Sequence, residues 1–328
     1  MFTKFVEFKS VLPMAAFISF LICVILLPIL IPVLKRLKFG QSIRDDGPKW
    51  HKKKSGTPPM GGIAFIIAIA VSCFITVASP AAALIVLTAT AFGVIGFADD
   101  YIKVVLKRNL GLSAKQKFFW QIVVSVAFII AGRCFDIVKT DIYLPFMTGS
   151  VDLKMFVIPL SIFIMTGFSN AVNLTDGIDG LAASVTAVVS VFLGIFSVLL
   201  GHRDIAIVCA AVFGSCIAFL IFNFHPAKVF MGDTGSLFFG GFVSAAAIVL
   251  KMPVILIILG FTYVAETLSV IIQVIYFKKT GKRFFKMSPI HHHFEMCGWS
   301  EVKIVGVFSL ASAVFGGIAL LSMFWLFA

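Results

Sequence analysis

Five aspartates sit at the edges of long apolar runs: Asp99 and Asp100 together, Asp176 and Asp179 three apart, and Asp233. Carboxylates at a bilayer edge lose hydration and repel one another, so a gathering of them marks a functional site by default. A divalent cation of the magnesium type and a phosphorylated substrate would relieve that repulsion, because hard cations take oxygen ligands and bridge to phosphates. The chemistry to expect is metal-assisted work on a phosphate compound at a membrane surface.

The surrounding residues support this. Gly96-Phe97-Ala98-Asp99-Asp100-Tyr101 is followed by Lys103, Lys107 and Lys115. Neighbouring residues on a helix point about 100° apart, so both carboxylates reach one site only near a helix end or a cleft. The run from Asn170 to Gly180 holds two Asn, two Asp and a Thr between very apolar segments. A spacing of three puts Asn170 with Asn173, and Asp176 with Asp179, on shared faces. Gly177 and Gly180 permit close backbone approach to a ligand. From Asn223 to Ser236, Asp233 stands beside small and hydroxyl residues at the start of a new helix, where free backbone N–H groups suit an anion. Phe230 could stack on a base or simply pack. His291-His292-His293 cannot all ligate one metal and have no companion ligand set, which argues against zinc; imidazoles facing phosphate oxygens suit the run better.

These loops need a scaffold. Of 328 residues, 60% are hydrophobic and 13% charged, against about 45–50% and about 25% in soluble domains. The apolar residues come in blocks long enough for a hydrocarbon core of about 30 Å. Ten spans are expected, at 11–34, 60–79, 81–98, 118–135, 155–172, 181–200, 204–222, 236–250, 253–276 and 304–326. The fold class is an all-α polytopic membrane protein, read as one catalytic domain over 1–328. The first block is too long for a signal-peptide core and carries its basic cluster behind it, as an uncleaved first span does. The connectors 35–59, 99–117, 223–235 and 277–303 carry 20 of the 27 Lys and Arg. By the positive-inside rule they face the cytoplasm, and both termini face outward. Every chemically suggestive loop then falls on the cytoplasmic side. The outer side has one longer connector, Asp136 to Lys154, with the turn residues of a small hairpin. The net charge of +12 follows the inner connectors, so no nucleic-acid partner is expected. The basic stretch Arg44 to Lys54 serves topology and anionic headgroups as readily as substrate. The six cysteines show no ligand or disulfide spacing.

Together the motifs resemble the polyprenyl-phosphate N-acetylhexosamine-1-phosphate transferases, in one order from about Phe39 to Glu301. Ser288 to Trp299, with its triple His, is similar to the muramoyl-pentapeptide branch. Pro59 stands where that family usually has Thr, so no hydroxyl role is assigned there. The resemblance implies transfer of phospho-MurNAc-pentapeptide from UDP-MurNAc-pentapeptide to undecaprenyl phosphate, giving lipid I and UMP with Mg2+, in the bacterial inner membrane. It implies Asp233 as the metal ligand, Asp99 as base or nucleophile supported by Asp100, and His292 among the catalytic groups. Asn173, Asp176, Gly177, Asp179, Asn223 and Phe230 would line the uridine and diphosphate region. Lys52, Thr57, Lys103, Lys107, Lys115, Gln273, His291 and His293 are the further substrate contacts implied. Membrane lipid is a partner, and a homodimer is left open.

Two other readings remain. One is a sister transferase using UDP-N-acetylglucosamine, which the triple His argues against. The other is an ion-coupled transporter, whose carboxylates would lie near mid-membrane. Only Glu266 lies deep in a span, and it is left without a role. Direct attack by the lipid phosphate is preferred over a phospho-Asp intermediate, since no Cys or Ser nucleophile is evident.

Overall fold

The computed structural model describes residues 2–36, 56–104, 106 and 111–324. Helices dominate: α1 (Phe2–Arg36), α2 (Gly62–Thr76), α3 (Pro80–Val104), α4 (Ala114–Cys134), α5 (Val157–Thr175), α6 (Leu181–Leu199) and α7 (Arg203–Asn223). They are followed by α8 (Gly232–Val249), α9 (Ile255–Leu259), α10 (Phe261–Thr280), α11 (Ile290–Met296) and α12 (Glu301–Phe324). Nine helical segments among the described residues are long and apolar enough to cross a membrane. This is a multi-pass membrane protein.

The expected spans reappear with shifted ends. The second, α2, keeps only 15 helical residues. The ninth breaks at Gly260 into α9 and α10. The third runs on to Val104, so Asp99, Asp100 and Lys103 lie on helix rather than loop. The histidine run, expected in a loop, forms α11.

The helix ends carry local signals. Ser113 and Gln116 form a capping box at the head of α4: Gln116 N donates to Ser113 Oγ, and Ser113 N donates to Gln116 Oε1. At the head of α3, the Ser79 hydroxyl accepts from Ala81 N and donates to the Asp204 carboxylate. Gly180 enters α6 at a φ of 81°, which a residue with a Cβ adopts only at a cost.

Helix α8 is the central post. Every residue from Thr234 to Val249 is buried. Its Gly and Ser content explains how neighbours come so close, because apolar helices in lipid associate through tight packing rather than the hydrophobic effect. A Cβ on Gly96 of α3 would collide with the carbonyl of Asp233, and one on Gly62 of α2 would lie 2.5 Å from Gly235 Cα. The α3–α8 crossing therefore depends on a hydrogen atom at position 96.

The connectors gather at two ends. At one, the tails of α3, α5, α7 and α10 meet the heads of α4, α6, α8 and α11. At the other, strands β1 (Asp141–Tyr143) and β2 (Ser150–Asp152) form the expected hairpin. Tyr143 N donates to Lys251 O at 2.7 Å, Lys251 Nζ donates to Asp141 at 2.8 Å, and Phe146 N donates to Ser322 O at 3.2 Å. That ion pair holds the Asp141 carboxyl below the usual carboxylate range. All six cysteines are free.

The close crossing yields a first prediction. Gly96→Val should destabilise the detergent-purified protein by roughly 1–3 kcal/mol, the usual cost of overpacking. A lowered melting temperature would be its sign, and an unchanged one would contradict the α3–α8 geometry.

Candidate active site

Three of the acidic positions converge where α3 meets the head of α8. Asp99, Asp100 and Asp233 each place one carboxylate oxygen within 4.8 Å of the others. Adjacent Asp99 and Asp100 diverge, as the helix dictates, and take different work.

Asp100 is buried and faces the N-terminus of α8. Its Oδ2 accepts from Thr234 N at 2.9 Å and from Thr234 Oγ1 at 2.7 Å, while Oδ1 accepts from Asp233 N at 3.2 Å. The first N–H groups of a helix lack internal partners and carry partial positive charge. The anion expected at this terminus is thus supplied by Asp100 itself. Asp99, also buried, accepts from Leu112 N at 2.8 Å and pairs with Lys103 one turn along α3.

Asp233 collects the remaining donors. Its Oδ2 accepts from Lys103 Nζ and Lys117 Nζ, each at 3.0 Å, and its Oδ1 accepts from Asn173 Nδ2 at 2.8 Å. Asn173 Nδ2 also donates to Ser236 Oγ at 2.8 Å, and its Oδ1 accepts from Lys117 at 3.3 Å. Four helices, α3, α4, α5 and α8, therefore meet through side chains around one carboxylate. The Lys103 ammonium lies against both Asp99 and Asp233, so the gap between these carboxylates accommodates a cation. The donor set is all oxygen, as a hard divalent metal requires. Half-buried Asp176 ends α5 beside this cluster. Desolvation, with the charges of Asp233, Asp100 and Asp179, lifts its carboxyl well above the usual range.

The other candidates fall around this centre. Asp179 turns away from Asp176: its Oδ2 accepts from Ala227 N and faces His225 Nδ1, both at 3.0 Å, while its backbone N donates to Glu301. Asn223 accepts from Gly180 N at 3.1 Å and donates to Val229 O at 2.8 Å, which ties the α5–α6 turn to the α7–α8 loop. Phe230 pairs its backbone with Pro58 and Gly61. Thr57 Oγ1 lies 3.5 Å from Ala227 O. Gln273 Oε1 accepts from Phe284 N and Phe285 N. Lys115 is exposed on α4. Lys52 and Lys107 lie outside the described residues.

The histidines part company. His291 is fully buried, with Nδ1 3.1 Å from Glu266 Oε2, and Glu266 is equally buried. His292 Nδ1 is 2.5 Å from Glu295 Oε2. His293 Nδ1 accepts from Lys286 N at 3.1 Å. Glu266, without a role in the sequence, has this buried partner. Asn170 does not join Asn173 at the carboxylates; it exchanges amide hydrogen bonds with Gln121 at 2.7 and 3.3 Å.

Sequence reasoning missed Lys117 and Thr234 as partners of the aspartates, and Ser236 as a partner of Asn173. For Lys117 a signal existed. The Ser113-x-x-Gln116 capping box starts α4 at Ala114, which puts Lys117 in the first turn rather than in a solvated connector.

Residues 82–251 match the model of glycosyl transferase family 4. A phospho-N-acetylmuramoyl-pentapeptide-transferase of Clostridium perfringens (strain SM101) is 51% identical over 312 residues, covering 94% of this chain and 96% of that protein. Similarly named proteins of Caldicellulosiruptor bescii and Halalkalibacterium halodurans are 50% and 49% identical, covering 94% and 97% of this chain and 96% and 99% of theirs. The chain is thus a membrane-embedded transferase of glycosyl transferase family 4. Within that class, it belongs to the phospho-N-acetylmuramoyl-pentapeptide-transferase family.

Lys117→Met should lower turnover about a hundredfold, the scale for losing one donor to developing charge. Turnover by the purified variant, normalised to correctly folded protein, checks this.

Proposed function

We propose that the protein transfers phospho-MurNAc-pentapeptide from UDP-MurNAc-pentapeptide to undecaprenyl phosphate, giving lipid I and UMP, at the cytoplasmic face of the bacterial inner membrane. The observation that carries this reading is the Asp99–Asp100–Asp233 cluster, with two lysines and an asparagine, at one end of an apolar bundle. A lipid phosphate reaches such a place from the bilayer and a nucleotide-linked sugar from water.

In this reading an oxygen of the lipid phosphate attacks the sugar-linked phosphorus of the donor. A new P–O bond forms, the diphosphate bond breaks, and UMP leaves with the bonding pair. Lipid monoester phosphate is already anionic near neutral pH, so Asp99 has little proton to remove. Both its oxygens are engaged, by Leu112 and Lys103, which favours an orienting role over a covalent one. Lys103 and Lys117 converge on Asp233 and are placed to receive the charge of the diphosphate; phosphoryl transfer is chiefly positioning and charge stabilisation. Mg2+ held by Asp233, with Asp99 beside it, would supply further neutralisation of the diphosphate.

Asn173, Asp176, Gly177 and Phe230 would meet the uridine and diphosphate portion. Asp179 and Asn223 would shape its walls through the loop contacts they make. His292, His293, Gln273, Thr57, Lys52, Lys107 and Lys115 remain substrate-contact candidates. The transporter alternative is weakened by Glu266, which His291 covers away from any aqueous path.

Purified protein given UDP-MurNAc-pentapeptide, undecaprenyl phosphate and Mg2+ should release UMP. Replacing the donor with UDP-N-acetylglucosamine should not support turnover. Asp233→Asn should remove most activity while the protein stays folded, and full turnover by that variant would reject the metal assignment. Orientation has its own test in the exposed Cys134 and Cys297. On intact cells a membrane-impermeant maleimide should label Cys134 and spare Cys297; the reverse pattern would place the site outside.

A further inference from the structure

Three consecutive histidines point three ways, and only His291 turns wholly inward. It and Glu266 are both completely buried, facing across 3.1 Å. Neither the carboxylate of Glu266 nor the ring of His291 has any other hydrogen-bond partner among the described residues. Burying such a pair costs desolvation on both sides, so it is weak evidence for stability and invites a geometric explanation. The other edge of the ring supplies one. A Cβ added to Gly177 would lie only 2.1 Å from His291 Nε2 and 2.5 Å from its Cε1. The imidazole thus occupies the space where any side chain at 177 would stand, directly beneath the turn joining α5 to α6. Glu301 grips the same turn two residues on, accepting from Asp179 N at 3.0 Å.

We infer that His291, braced by Glu266, is a positioning residue: its ring sets the height of Gly177 and thereby fixes the turn that presents Asp176 to the nucleotide end of the donor. This rests on the transferase reading above. His291 touches no substrate in this account. It acts through Gly177, and Glu266 holds the ring by its opposite nitrogen, as an outer carboxylate commonly orients an imidazole.

The test is a double-mutant cycle on Gly177→Ala and His291→Ala, with donor KM, acceptor KM and kcat measured for each. Residues acting through one contact are non-additive, whereas independent ones add. Gly177→Ala alone should raise donor KM about tenfold, a typical coupling for side chains in contact, and leave acceptor KM within about twofold. In the His291→Ala background, the same change should add less than about twofold. Glu266→Gln, which keeps an acceptor for the ring, should stay nearer wild type than Glu266→Ala. Additive effects, or a fall in kcat with donor KM unchanged on removing His291, would overturn the inference and make the ring a direct participant. If His291→Ala does not fold, His291→Asn replaces it in the cycle. If wild-type protein releases no UMP, the transferase reading fails. Direct UMP titration of the same variants would then still show whether Gly177 and His291 are coupled.

Discussion

The acidic end of the bundle is organised by a carboxylate used as a helix cap. Asp100 reaches from α3 to the first N–H groups of α8 and satisfies donors that would otherwise be stranded in a poorly hydrated place. Two apolar helices in lipid gain little from hydrophobic exclusion, so a charge-assisted contact of this kind can set their register. Gly96 makes the approach sterically possible, and the polar contact then fixes it. Once Asp100 is committed to α8, its neighbour Asp99 must point elsewhere, towards Lys103 and Leu112. Division of labour between adjacent aspartates follows from helix geometry.

Charge balance completes the arrangement. Three carboxylates close together would repel strongly, and two lysines from different helices bring the local sum nearer to neutral. Asn173 adds a fixed dipole without adding charge. Lys103 and Lys117 hold Asp233 from two directions, so in the proposed transfer an incoming diphosphate would meet ammonium groups already in place. Such pre-arranged groups need little reorganisation when charge moves between oxygens.

Much of this was legible in the chain. The apolar blocks gave the helices, and parity with the basic connectors put Asp99, Asp100, Asp176, Asp179 and Asp233 at one end of the bundle. The hairpin between Asp136 and Lys154 followed from its turn residues. Helix ends were harder: polar side chains such as Asp100 and Lys103 stay helical past the apolar block because partners on α8 satisfy them, and no local propensity reveals that. The division among the histidines was equally hidden, since identical residue types carry no sign of which will face a buried glutamate. Residues 170 and 173 misled for a related reason. A spacing of three puts them near one face, but α4 meets that face with Gln121 at one level and Lys117 at the next. Asn223 and Asp179, expected at the ligand, hold loop backbone through contacts between elements distant in sequence.

The hairpin at the opposite end has a mechanical meaning. By binding Lys251 and Ser322, it sews the tail of α8 and the tail of α12 to the link between α4 and α5. A hairpin of three residues a strand is thus the clasp that ties together helices far apart in sequence.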